Sequence, residues 1–107
     1  MTESIDAIAT IGRNELDELA QSGGLKSARI TQCDDAFLAE YYGHPGYNLV
    51  KHQAMYLLFI RTSNGLYAYR SPQSRRHYPR VFKGAEPALE RCDDLGIQYQ
   101  TVVFNND

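Results

Sequence analysis

Apolar residues Ile5, Ile8, Ala9, Leu16, Leu19 and Ala20 recur at spacings of three and four. That spacing lines one side of a helix and predicts one over residues 3–22. Gly12 falls on the same stripe. It either admits a close helix contact or divides the segment, in which case Asn14 caps a helix over residues 15–21. Gly23-Gly24 ends the pattern, as expected at a helix C-terminus.

Residues 25–33 predict a strand of weak alternation. Leu25, Ser27, Arg29 and Thr31 fall on one side, with Lys26, Ala28, Ile30 and Gln32 on the other. Asp34-Asp35 can cap a short helix through Tyr42, and Gly43-His44-Pro45-Gly46 must then be a loop. Residues 54–62 predict the clearest strand. Met55-Tyr56-Leu57-Leu58-Phe59-Ile60 is apolar at both parities, as in a central strand covered on both sides. Asn64-Gly65 signals a hairpin, and residues 66–70 return antiparallel, with Tyr67 and Tyr69 on one side and Leu66 and Ala68 on the other. Residues 85–95 predict a helix with Pro87 in its first turn and Gly96 as its stop. Residues 97–104 close the chain as a strand centred on Thr101-Val102-Val103.

The order is thus α-β-α-β-β-α-β. It predicts an α+β fold: a small, mainly antiparallel sheet of three or four strands with two or three helices packed on it. The expected core includes Ile30, Tyr56, Leu58, Ile60, Leu66, Leu89, Leu95, Val102 and Phe104. The length of 107 residues fits a single domain, 1–107. With 43% hydrophobic and 22% charged residues, the chain has the composition of a folded globular domain.

Charge changes the picture more than composition does. The net charge is −2, yet residues 1–50 carry eight acids and three bases, and residues 51–107 carry five acids and eight bases. Arg61 to Lys83 holds six bases and no acid. Such a distribution excludes a general nucleic-acid coat and leaves a local polyanion contact open. Residues 67–83 concentrate it, with five bases and three tyrosines. Guanidinium forks match phosphates and carboxylates, and tyrosines stack on bases or anchor interfaces. The candidate binding residues are therefore Tyr67, Tyr69, Arg70, Arg75, Arg76, His77, Tyr78, Arg80 and Lys83. The expected partner is an acidic protein surface or nucleic acid, and the tyrosine content is compatible with a homodimer. The competing reading is a solvated segment whose charges balance the acidic N-terminal half.

Other chemistry is thin. His44, His52 and His77 are the acid–base candidates for a small metal-independent ribonuclease or toxin. Cys33, His44, His52 and Cys92 share no metal-ligand spacing, so no metal site is expected. No glycine-rich phosphate loop opens a helix, and no cofactor is expected. The opening Met1-Thr2-Glu3-Ser4 is acidic, and the longest strongly apolar run, residues 54–60, is far shorter than the ~20 residues of a membrane span. A cytoplasmic protein with no membrane association and with reduced thiols is expected.

Residues 66–104 carry one resemblance. Arg80-Val81-Phe82-Lys83 leads into a helix that ends in Leu95-Gly96-Ile97, followed by a strand. This pattern resembles the C-terminal part of small orphan accessory proteins of plasmids and other mobile genetic elements. The resemblance implies an accessory role, as a regulator or inhibitor, and brings no catalytic residue with it. The expected function is a non-enzymatic binding or regulatory protein, with the ribonuclease-like enzyme as the alternative.

Overall fold

A computed structural model of the chain describes residues 8–33, 35–42, 55–70, 78–97 and 100–103. The elements, in chain order, are β1 (Thr10–Ile11), α1 (Arg13–Ser22), β2 (Leu25–Gln32), α2 (Asp35–Tyr42), β3 (Tyr56–Thr62), β4 (Gly65–Tyr69), β5 (Val81–Phe82), α3 (Ala85–Leu95) and β6 (Gln100–Val103). The sheet order is β1-β4-β3-β2-β6, and β5 pairs with the beginning of β3 in the lane that β4 occupies further along. The predicted α+β class holds.

The sheet is wider than the three or four strands expected, and mixed. Its centre, β2-β3-β4, is antiparallel, while β1 runs parallel to β4 and β6 runs parallel to β2. Strands of two residues, β1 and β5, leave too short a pattern to register as alternation.

The predicted helix over 3–22 is corrected. Residues 1–7 lie outside the described residues; residues 8–12 are not helical, and α1 begins at Arg13. Ile11 is buried on the sheet instead, and the edge of β4 donates Ala68 N–H to Ala9 O and Arg70 N–H to Ile11 O, at 2.9 and 3.0 Å. These backbone bonds outcompete another helical turn. Gly12, not Asn14, is the N-cap. Glycine has no side chain to give, so only the returning half of a capping box forms, from Gly12 N–H to Glu15 Oε1 at 3.4 Å. The helix ends at Gly23, whose φ of 77° is left-handed.

The hairpin also shifts by one residue. Thr62 pairs with Gly65, so the loop is Ser63-Asn64 and Gly65 opens β4 at φ 137°. Thr62 Oγ1 accepts Asn64 N–H at 3.0 Å and donates to Gly65 O at 3.1 Å, which fixes the turn from within.

Weak alternation in β2 has a specific cause. Leu25 pairs with Thr62 and Ser27 with Arg61, so Lys26 is an extra residue in the ladder. Such a bulge reverses the side-chain parity. Leu25 therefore packs with Ala28 and Ile30 on one face, rather than with Arg29 and Thr31 as simple alternation predicts.

Two clusters form on opposite faces of the sheet. The larger lies under α1 and α3 and contains Leu16, Ile30, Tyr56, Leu58, Ile60, Tyr69, Phe82, Cys92 and Leu95, among others. The smaller lies under α2 and joins Cys33, Phe37, Tyr41, Met55 and Leu57. β3 supplies both, as its two-sided apolar pattern predicts. Of the expected core, Ile30, Tyr56, Leu58, Ile60 and Leu95 are buried, and Leu89 packs half-buried against them. Leu66 is a correction: it is 45% exposed, because α2 does not reach its end of the sheet. The Val102 side chain and Phe104 lie outside the described residues. Cys33 and Cys92 are free thiols in different clusters, so the sheet stands between them.

Candidate functional site

The basic segment begins and ends on the sheet. Arg70 and Pro79 form an antiparallel bridge, and Arg80 N–H donates to Tyr69 O at 2.8 Å. Pro79 is fully buried, and a proline fits there because it need donate nothing on its own account. Arg70 and Pro79 are thus held side by side at the sheet. Arg75, Arg76 and His77 lie outside the described residues, as do His44 and His52.

The structure does not gather the described candidates on one face. Tyr69 is wholly buried beneath the α1/α3 layer, with its ring 6.3 Å from that of Phe82. Tyr67 is half-buried on the same side, while Tyr78 packs with the α2 cluster on the other. The alternation that puts Tyr67 and Tyr69 together is correct, but the side they share is the inner one. Their value here is packing: the Arg91 guanidinium lies 5.6 Å from the Tyr69 ring centroid, within cation–π range.

The arginines are divided too. Arg70 Nη2 lies 2.8 Å from Glu15 Oε1, and its Nη1 donates to Thr10 Oγ1 at 3.3 Å. Its guanidinium is therefore engaged with the protein's own acidic helix, which is the intramolecular pairing that competes with a binding role. Arg80 stacks on Phe82 with its Cζ 4.9 Å from the ring centroid, which leaves its charge without a carboxylate partner among the described residues. Lys83 is exposed.

A second polar region lies across the helices. α1 and β4 border an open groove of about 480 Å³ whose lining includes Glu15, Glu18, Tyr67 and Asn64. Its carboxylates make it the acidic counterpart of the basic segment. Nearby, Arg13 Nε pairs with Asp17 Oδ1 at 3.1 Å, and Arg91 Nη1 lies 3.6 Å from Asp94 Oδ2. The last contact gives Asp94 a cation near a helix end that otherwise disfavours it.

The buried thiol of Cys92 is not a nucleophile in waiting. Burial, and then the neighbouring Asp93, push its pKa up to about 11, so it stays protonated at neutral pH. Among the described residues, no group of three His, Cys, Asp or Glu could hold a metal ion, and no helix is long and apolar enough to cross a membrane.

Sequence reasoning missed one region. On the α2 side of the sheet, Ser27, Arg29, Phe59, Arg61 and Leu66 border a recess of about 70 Å³. Arg29 and Arg61 lie far apart in sequence, and the bulge at Lys26 hides the parity of β2, so only the ladder register brings them together.

No known protein family, curated protein or solved structure matches this chain.

Proposed function

We propose that this chain is a non-enzymatic binding protein that engages an anionic partner through its basic segment. The observation that carries the reading is the neck formed by the Arg70–Pro79 bridge and the bond from Arg80 N–H to Tyr69 O. It ties both ends of a stretch holding Arg75 and Arg76 to a rigid sheet. Fixed ends lower the ordering cost of binding relative to a free tail. Arg80 and Lys83, just past the neck, add cations that no described carboxylate neutralises. Arg70 belongs to the fold through Glu15 and contributes only if that pair opens. The resemblance of residues 66–104 to accessory proteins of mobile genetic elements supports a regulator or inhibitor as the biological role.

The test is charge reversal of Arg75→Glu with Arg76→Glu. Circular dichroism should show an unchanged fold: the reading requires both side chains to face a partner, and charges in solvent contribute about 0–1 kcal/mol. Polyglutamate and a mixed-sequence DNA duplex serve as the two anionic probes in a biosensor titration. Wild type should bind at least one of them, and the double variant at least tenfold more weakly. A folded double variant with full binding, or a wild type that binds neither probe at low salt, ends the reading. Cleavage of single-stranded RNA that disappears in His77→Ala would replace it with the ribonuclease-like alternative.

A further inference from the structure

Among the described residues, the second face of the sheet is only partly covered. α2 buries Cys33, Met55 and Leu57 at one end. Phe59 packs half-buried against the rim of that cluster. Beyond it Arg29 and Arg61 are exposed, and Leu66 is the exposed large hydrophobic residue among those described. Ladder registers fix their arrangement. Arg29 stands directly opposite Phe59, and Phe59 opposite Ala68. One row further along, Ser27, Arg61 and Leu66 stand side by side. Arg61 follows Phe59 by two residues on β3, so it shares its face. Phe59 therefore has one arginine beside it across the ladder and another next along its own strand, and the two arginines are diagonal neighbours about 7–8 Å apart at Cα.

We propose that this uncovered half-face is a docking platform for single-stranded nucleic acid, with a base stacking on Phe59 and backbone phosphates meeting Arg29 and Arg61. Neither arginine has an ion pair among the described residues, and the sheet places no described carboxylate on this face. Two cations without a described carboxylate partner, beside a partly exposed phenylalanine on a central strand, are complementary to a chain that alternates phosphates with planar bases. The ring needs an unstacked base, which a duplex does not offer. The recess of about 70 Å³ brings Arg29, Phe59, Arg61 and Leu66 together in its lining, so cations and an aromatic side chain share one small surface. Ser27 supplies a hydroxyl at the rim that can donate or accept. Leu66 lies near the hairpin end of β4, and Arg70, the first cation of the basic segment, just beyond the other end.

The experiment is fluorescence anisotropy with a labelled oligothymidylate of about twelve nucleotides. It is run on the full chain at several salt concentrations, beginning near roughly 50 mM. Wild type should bind, with affinity falling linearly on a log–log plot against salt. Arg29→Gln and Arg61→Gln should each flatten that slope by about 0.7, the value for one phosphate contact on a single strand. Phe59→Leu keeps an apolar side chain for the fold and removes the ring. It should weaken binding about tenfold at unchanged slope, and Phe59→Tyr should restore it. Absence of oligonucleotide binding by folded wild type overturns the proposal. So does binding that survives Phe59→Leu, or that is lost only in Arg75→Glu with Arg76→Glu, which would assign the contact to the basic segment. Equal displacement by polyglutamate would mark a plain charge patch fitted to an acidic protein and overturn it as well.

Discussion

Neighbouring residues of β3 meet opposite surroundings. Leu58 and Ile60 are fully enclosed beneath α1 and α3, whereas Phe59 is half-buried and Arg61 exposed on the other face. Helix length accounts for the difference. An eight-residue α2 is about 12 Å long, while the seven residues of β3 run about 23 Å. One face receives two helices of ten and eleven residues and is closed along its length. Among the described residues the other receives one short helix and is closed at one end. A strand that is apolar at both parities therefore announces two covering layers without saying how far the second extends.

The largest test of that contrast is truncation on each side. Leu58→Ala should cost about 2–5 kcal/mol, because the enclosed site cannot collapse around the missing atoms. Leu66→Ala, on the bare half-face, should stay within about 0.5 kcal/mol. Urea unfolding of the two variants measures both. Similar losses would mean that the second face is covered after all.

The two faces also differ in their thiols, and Cys92 converts burial into a pH dependence. Its folded pKa is pushed up to about 11, chiefly by burial, whereas an unfolded thiol titrates near ~8.5–9. Between those values the unfolded chain has lost the proton and the folded chain still holds it, so stability falls as pH rises. The loss should approach about 2–3 kcal/mol by pH ~11. It should appear in wild type and vanish from Cys92→Ala when the two stability–pH curves are subtracted. A flat difference curve would mean that Cys92 is open to solvent. In native protein at neutral pH, Cys92 should also resist thiol reagents, and denaturation without reductant should expose two free groups, from Cys33 and Cys92.

The hairpin that joins β3 to β4 lies at the uncovered end of the second face. Gly65→Val places a β-branched residue at φ 137°, a conformation that L-residues rarely adopt. It should cost at least about 1 kcal/mol. The added Cβ meets little, its nearest neighbour being Tyr67 Cε2 at 4.0 Å, so the cost is one of backbone rather than packing. An unchanged urea midpoint would contradict the turn.

These residues also show what was legible in the sequence. α3 was predicted with its observed bounds, because Pro87 and Gly96 mark both ends of an amphipathic run. β3 stood out because no other segment is apolar at both parities. By contrast, β1 falls inside the predicted helix, since Ile8 and Ala9 before it and Leu16 after it fit one helical stripe, and only the bonds to the edge of β4 show otherwise. β2 read poorly because of one bulged residue, Lys26. The candidate site suffered most. Charge density marked Arg70 to Lys83, but sequence spacing cannot tell an arginine that faces a partner from one that reaches Glu15. Nor can it pair Arg29 with Phe59, which are thirty residues apart in the chain and adjacent in the ladder.

Arg70 itself yields the smallest and most discriminating test. It sits where the two faces meet, bonded to Thr10 Oγ1 at the sheet edge and to Glu15 Oε1 on the helix. A Cβ built on Gly12 would lie 2.9 Å from Arg70 Nη2, too close for contact. Gly12 has φ −92°, so alanine suits its backbone and the only conflict is with the guanidinium. The guanidinium end of a long side chain can move, so Gly12→Ala should displace the Arg70–Glu15 pair rather than unfold the domain, at a cost of about 0–1 kcal/mol. Displacement has a second consequence. It returns one cation to the basic segment, so binding of an anionic probe there should strengthen in Gly12→Ala, and Glu15→Gln should act in the same direction without any steric change. If Gly12→Ala instead costs several kcal/mol, the helix start is packed more tightly than Arg70 alone explains. If binding stays constant in both variants, Arg70 belongs wholly to the fold, and the basic segment works with Arg75, Arg76, Arg80 and Lys83.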